Sequence, residues 1–163
     1  MKIGIHENCL NNIRSMYSNL MSCIDTPNGL TDFFSCYTGT RQGCLLSPLL
    51  FILFLDRFLD FCNQNGCRGV YIDEQYENVC VLLYADDMSQ LADLTGRLQY
   101  QINTLQAFCT NSGMQVNIDK TKIIVFRNGG PLRRSERWFF EEKPFETGLY
   151  DGDNEPEKPA YPK

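Results

Sequence analysis

Apolar residues recur along this chain at two different periods, and the switching between them predicts its elements. Ile13, Met16, Tyr17 and Leu20 fall at three- and four-residue spacing, which predicts a first helix ending near Met21. Beyond it, the Asn-Gly step of Pro27-Asn28-Gly29, between Ser22-Cys23-Ile24 and residues 30–37, predicts a hairpin connection. Ser47-Pro48 marks the next helix start. Serine at the N-cap offers its hydroxyl to free amides, and proline in the first turn gives up no needed donor. That helix should run to about Asn63. Apolar side chains occupy nearly every side of its first two turns, which predicts burial all round.

Gly66 closes this helix, residues 69–72 begin a strand, and polar residues 73–78 lead into the apolar run Val79-Cys80-Val81-Leu82-Leu83. Met88-Ser89-Gln90-Leu91-Ala92 leads away again, so a second hairpin is predicted. Leu94, Leu98, Ile102, Leu105 and Phe108 mark an amphipathic helix that Gly113 can cap in a left-handed conformation. Ile123-Ile124-Val125-Phe126 reads as a strand, Asn128-Gly129-Gly130 as a turn, and Trp138-Phe139-Phe140 as a last strand. The order predicts an α+β fold, a layer of antiparallel strands backed by helices. From about Gly148 apolar content almost vanishes, so the chain divides into a domain over 1–145 and an acidic, disordered tail over 146–163.

Charge sharpens that division. The net charge of the 163 residues is −5, which argues against a polyanionic partner. The imbalance is local, however: residues 136–163 carry eight acidic and four basic side chains, leaving the rest near neutral. With no signal peptide, the eight cysteines read as reduced thiols. His6 is the single histidine and Cys62 and Cys67 the closest cysteine pair, so structural zinc is not expected. The run 49–55 is too short to span a bilayer, since Asp56, Arg57 and Asp60 follow at once. An intracellular site is expected, with nucleus and cytoplasm left open.

The chemistry concentrates in three segments. Tyr84-Ala85-Asp86-Asp87 delivers two adjacent carboxylates to a sharp turn. Two neighbouring Asp side chains resist joint ionisation unless a cation neutralises them, and hard oxygen donors suit Mg²⁺ or Mn²⁺. Upstream, Arg41-Gln42-Gly43 enters the second helix: Gly43 lets backbone approach a base pair, while Arg41 and Gln42 can donate to phosphate or a base edge. Downstream, Gly113-Met114-Gln115-Val116-Asn117-Ile118-Asp119-Lys120-Thr121-Lys122 supplies a turn and lysines before a strand. A lysine there can neutralise a leaving pyrophosphate or give it a proton.

In this order and spacing the three segments resemble the palm of reverse transcriptases, most closely those of non-LTR, long interspersed element-like retrotransposons. The resemblance runs from about Ile3 to Phe145. It implies RNA-directed DNA synthesis on an RNA template, with a DNA primer and deoxynucleoside triphosphates as partners. Arg41, Gln42, Gly43 and Tyr84 would bind nucleotide and template, Asp86 and Asp87 the metals, and Lys120 would assist catalysis. The departures are equally specific. The family's further metal-binding carboxylate lies in an Asp-x-x-x-Ala-Phe-Asp pattern that these residues lack, and neither Asp25 nor Asp32 stands in a matching context. Fingers and thumb find no counterpart, Leu45 stands where the family has proline, and Gln90 falls in a usually apolar stretch. The expectation is an incomplete palm that is inactive alone. The alternative is a non-enzymatic remnant that binds RNA or protein, with self-association through an exposed sheet edge.

Overall fold

The computed structural model describes residues 4–37, 39, 41, 43–85 and 87–150. It divides into two compact units, Met1–Phe54 and Leu55–Lys163.

In the first unit, α1 (Glu7–Tyr17) starts where His6 Nδ1 accepts the Asn8 amide at 3.3 Å. Glu7 and Arg14, in its first and last turns, complement the helix dipole. The helix stops before Met21 because Asn19 turns into the left-handed region (φ 56°) and Met21 is taken into a strand. That strand, β1 (Met21–Ser22), pairs antiparallel with β4 (Phe34–Ser35), enclosing β2 (Asp25–Thr26) and β3 (Gly29–Leu30). The predicted hairpin is present, but its turn residues are Pro27 and Asn28. Gly29 is already paired with Thr26, at a φ of 111° that suits glycine.

The second helix, α2 (Ser47–Gln64), runs as predicted to within a residue, with two corrections. The Ser47 hydroxyl does not cap amides; it is buried and shares a 2.8 Å hydrogen bond with the Tyr17 hydroxyl. Nor is α2 buried all round. Leu55, Phe58 and Cys62 form its buried side at helical spacing, while Leu49 (53% exposed) and Ile52 (47%) stay in solvent. An apolar surface all round can be buried only where other chain covers it, and the described residues cover one side.

In the second unit, α2 ends in a left-handed Gly66 (φ 68°), with the Cys67 amide on the Cys62 carbonyl and the Gly66 amide on that of Asn63. This is the Schellman arrangement, which sets Cys67 against Cys62. The strand predicted over 69–72 shrinks to one antiparallel bridge, Val70 with Val79. Gly69 permits it, since a Cβ there would lie 1.9 Å from the Val79 carbonyl oxygen. Then follow β5 (Val81–Tyr84), β6 (Asp87–Gln90) and α3 (Thr95–Ser112), capped by left-handed Gly113 as predicted. The core packs Phe58 and Phe61 against Phe108, with ring centroids 5.1 and 5.6 Å apart, around Ile102, Leu105 and Val81.

β7 (Lys122–Phe126) matches the predicted run. Trp138-Phe139-Phe140 is not the last strand. β8 (Phe139–Phe140) turns through Glu141 and Glu142 into β9 (Lys143–Pro144), and β10 (Glu146–Tyr150) then pairs with β7 in parallel. The Gln99 side chain holds β8 to α3, donating to the Phe139 carbonyl (2.9 Å) and accepting its amide (3.0 Å). Two expectations change accordingly. Residues 146–150 are strand, because Leu149 and Tyr150 lie opposite Val125 and Phe126, with the Tyr150 ring 5.2 Å from that of Phe126. One ladder is also parallel where antiparallel strands were expected. The architecture remains α+β, with short two-stranded ladders beside helices. The rest of the predicted tail, 151–163, lies outside the described residues.

Candidate metal and nucleotide site

The hairpin β5–β6 is tied down at its base and open at its tip. Cys80 and Val81 are buried, and the Leu91 amide donates to the Cys80 carbonyl at 2.9 Å. From there the register runs Val81 with Gln90, Leu82 with Ser89, Leu83 with Met88, and Tyr84 with Asp87. The final pair places a tyrosine and a carboxylate opposite each other, with Tyr84 83% exposed and Asp87 also exposed. A two-residue connection joins them. Its first residue, Ala85, takes a left-handed φ of 53°, a conformation that costs an L-residue roughly 1–2 kcal/mol. Asp86 lies outside the described residues.

No described residue pairs with the Asp87 carboxylate, so its oxygens are open to a hard divalent cation. The donor set, this carboxylate and that of its sequence neighbour Asp86, suits Mg²⁺ or Mn²⁺ in chemistry. Among the described residues no three histidine, cysteine or acidic side chains gather to form a closed metal site. The hydrogen-bond partner that Gln90 requires is also missing there: its Nε2 is buried and unpaired.

Gln101 was missed from sequence. It is fully buried on α3, and its Nε2 donates to the carbonyls of Leu91 (2.8 Å) and Arg68 (2.9 Å). One side chain therefore fixes the base of the hairpin to the helix behind it. A signal existed: Gln101 stands three residues after Leu98 and four before Leu105, a polar side chain on the apolar face.

Lys120 is exposed in a turn organised by Asn117, whose carbonyl accepts the amides of Lys120 (3.2 Å) and Thr121 (3.0 Å). No hydrogen bond or ion pair joins Lys120 to Asp87. Lys122 instead pairs with Glu146 at 2.6 Å across the β7–β10 ladder.

Arg41 and Gly43 belong to the first unit. Arg41 Nη1 donates to the Met16 carbonyl at 3.3 Å, near the C-terminal end of α1, where a cation is favoured. Gly43 turns the chain at φ 79° toward α2. Gln42 lies outside the described residues. Next to them Cys44 meets the Tyr17 hydroxyl at 3.6 Å. That hydroxyl, then the Ser47 hydroxyl and the amides opening α2, hold its thiol down at about 7.

A family model described as reverse transcriptase (RNA-dependent DNA polymerase) matches residues 2–151. The Retrovirus-related Pol polyprotein from type-1 retrotransposable element R2 of Popillia japonica is 31% identical over 131 residues, covering 79% of this chain and 18% of that protein. The chain thus spans less than a fifth of the relative's length. Among the described residues, no helix is long and apolar enough to cross a membrane. With the Tyr-Ala-Asp-Asp hairpin and the match over nearly the whole chain, the protein belongs to the reverse transcriptase family, in its non-LTR retrotransposon branch.

Proposed function

We propose that this chain carries the metal-holding part of a polymerase site for RNA-directed DNA synthesis. In that reaction a primer 3′-hydroxyl attacks the α-phosphate of a deoxynucleoside triphosphate. The observation that carries the reading is the hairpin whose open end pairs exposed Tyr84 with unpartnered Asp87. Asp86 and Asp87 would hold Mg²⁺ or Mn²⁺, which when bound stabilises charge on the attacking and leaving oxygens. Arg41 and Gln42 donate to triphosphate or template, and Gly43 keeps the approach free of a side chain. Tyr84 offers an aromatic face to the nucleotide. Lys120, exposed on its turn, would supply an ammonium to the departing pyrophosphate.

These 163 residues provide two adjacent carboxylates, and a further metal ligand has to come from elsewhere for full activity. Taken alone, they bind metal and nucleotide without sustained polymerisation. The pairing of β10 with β7 and the family match through residue 151 support a domain ending after Tyr150, followed by an acidic tail.

Equilibrium binding of a deoxynucleoside triphosphate tests the reading. Binding should require Mg²⁺ and be lost in the double variant Asp86→Asn/Asp87→Asn, while Arg41→Ala weakens it by about tenfold, as for a charge-assisted hydrogen bond. Triphosphate binding indifferent to metal and to both carboxylates would overturn it. Primer extension on an RNA template, run alongside, should be negligible. Extension abolished by the double variant would place the further ligand within these residues and overturn the claim of incompleteness.

A second reading, a module that binds RNA or protein, is favoured by the exposed Phe33 (66%), Tyr37 (90%) and Leu45 (98%). Association that persists in the double carboxylate variant would select it.

A further inference from the structure

The second unit holds an open cleft of about 170 Å³ lined by Gly66, Arg68, Gly96, Arg97 and Tyr100. It forms where the end of α2 meets the start of α3. The Tyr100 hydroxyl donates to the Asn65 carbonyl at 2.7 Å, which ties the two helix ends together and fixes the ring. Both arginines have donors to spare. Arg97 uses one nitrogen, Nη1, on the two Asp93 oxygens at 2.8 Å, and the guanidinium of exposed Arg68 has no partner among the described residues.

Nothing of the protein fills the space. A Cβ built at Gly66 or Gly96 meets no atom within 4 Å. The amides opening α3 add to the donors: Leu94 gives the helix no side-chain cap and no acidic residue stands in its first turn, while Asp93, before the cap, offsets part of the Arg97 charge and leaves Arg68 as the uncompensated one. Two planar guanidiniums beside a glycine-floored cleft match the forked acceptors of a phosphate.

We propose that this cleft binds a phosphate group through Arg68 and Arg97, carried either by a single-stranded polynucleotide backbone or by free inorganic phosphate. The inference does not depend on the metal hairpin, because none of its residues belongs to that site.

The test uses the full chain with two probes, inorganic phosphate and a fluorescent single-stranded oligonucleotide, and follows the Gly96 and Arg97 amide resonances together with anisotropy. The expected result is salt-sensitive oligonucleotide binding that moves both amides and weakens by about tenfold in Arg68→Ala. Gly96→Leu, which fills the cleft while favouring helix, should weaken binding in the same way. Arg134→Ala, at an exposed arginine outside the cleft, should bind as the parent does. Amides that move with inorganic phosphate alone assign the cleft to free phosphate and uphold the anion site. The proposal is overturned if neither probe moves these amides, or if binding is unchanged in Arg68→Ala. A thermal melt of each variant accompanies the titrations; if Gly96→Leu melts early, Arg68→Ala decides.

Discussion

Cys44 shows how the local environment sets chemistry at single residues. Hydroxyls and helix amides favour its thiolate, whereas burial pushes the Cys80 and Cys109 thiols up, and burial with the neighbouring Cys67 does the same to Cys62. Because the folded Cys44 pKa is depressed, the thiolate stabilises the loop above the ordinary thiol range, near 8.5, and that contribution is lost as pH falls through about 7. Alkylation followed by peptide mass spectrometry should therefore show a Cys44 rate with a midpoint near 7, moved upward in Tyr17→Phe. A midpoint in the ordinary thiol range in both proteins would contradict this. The sequence showed a cysteine before a helix but not Tyr17 beside it, 27 residues away. Gln101 is a related case. Its place on the apolar face of α3 was readable, whereas its two carbonyl partners come from segments that only tertiary packing brings together.

Elements whose signals were local were legible. α3 and its Gly113 cap, the β5–β6 hairpin and the β7 run all follow from periodicity and turn chemistry within a few residues. What could not be read was pairing between distant segments. β10 looks like tail by composition, yet β7 offers it an unpaired edge and Phe126 a ring to stack on. The segment before β8 was equally opaque. There Arg127 donates to Glu136 at 2.7 Å and to the carbonyls of Gly130 and Pro131, while Glu136 accepts the Arg133 amide at 2.6 Å. Shortening the chain tests β10 directly. Ending it after Tyr150 should leave the thermal melt unchanged. Ending it after Phe145 should cost on the order of 2–4 kcal/mol, from an aromatic pair and several ladder hydrogen bonds. Equal melts would show that β10 contributes nothing.

At the scale of the whole molecule, family and fold class were within reach of sequence because short motifs stood in a fixed order. The disposition of the site was less so. The motif residues fall in two compact units, Arg41 and Gly43 in one and Tyr84, Asp87 and Lys120 in the other, and sequence order says nothing of that division. Exposed apolar side chains such as Phe33, Tyr37 and Leu45 are surfaces suited to contact with other groups, a feature that composition alone did not reveal.

Whether the hairpin carboxylates hold a divalent cation, as proposed, is decided by paramagnetic broadening by Mn²⁺ in nuclear magnetic resonance spectra of the folded chain. If the proposal holds, broadening should centre on Tyr84, Ala85 and Asp87, be competed by Mg²⁺ and be abolished in Asp86→Asn/Asp87→Asn. Broadening spread evenly over the acidic surface, or unchanged in the double variant, would contradict it.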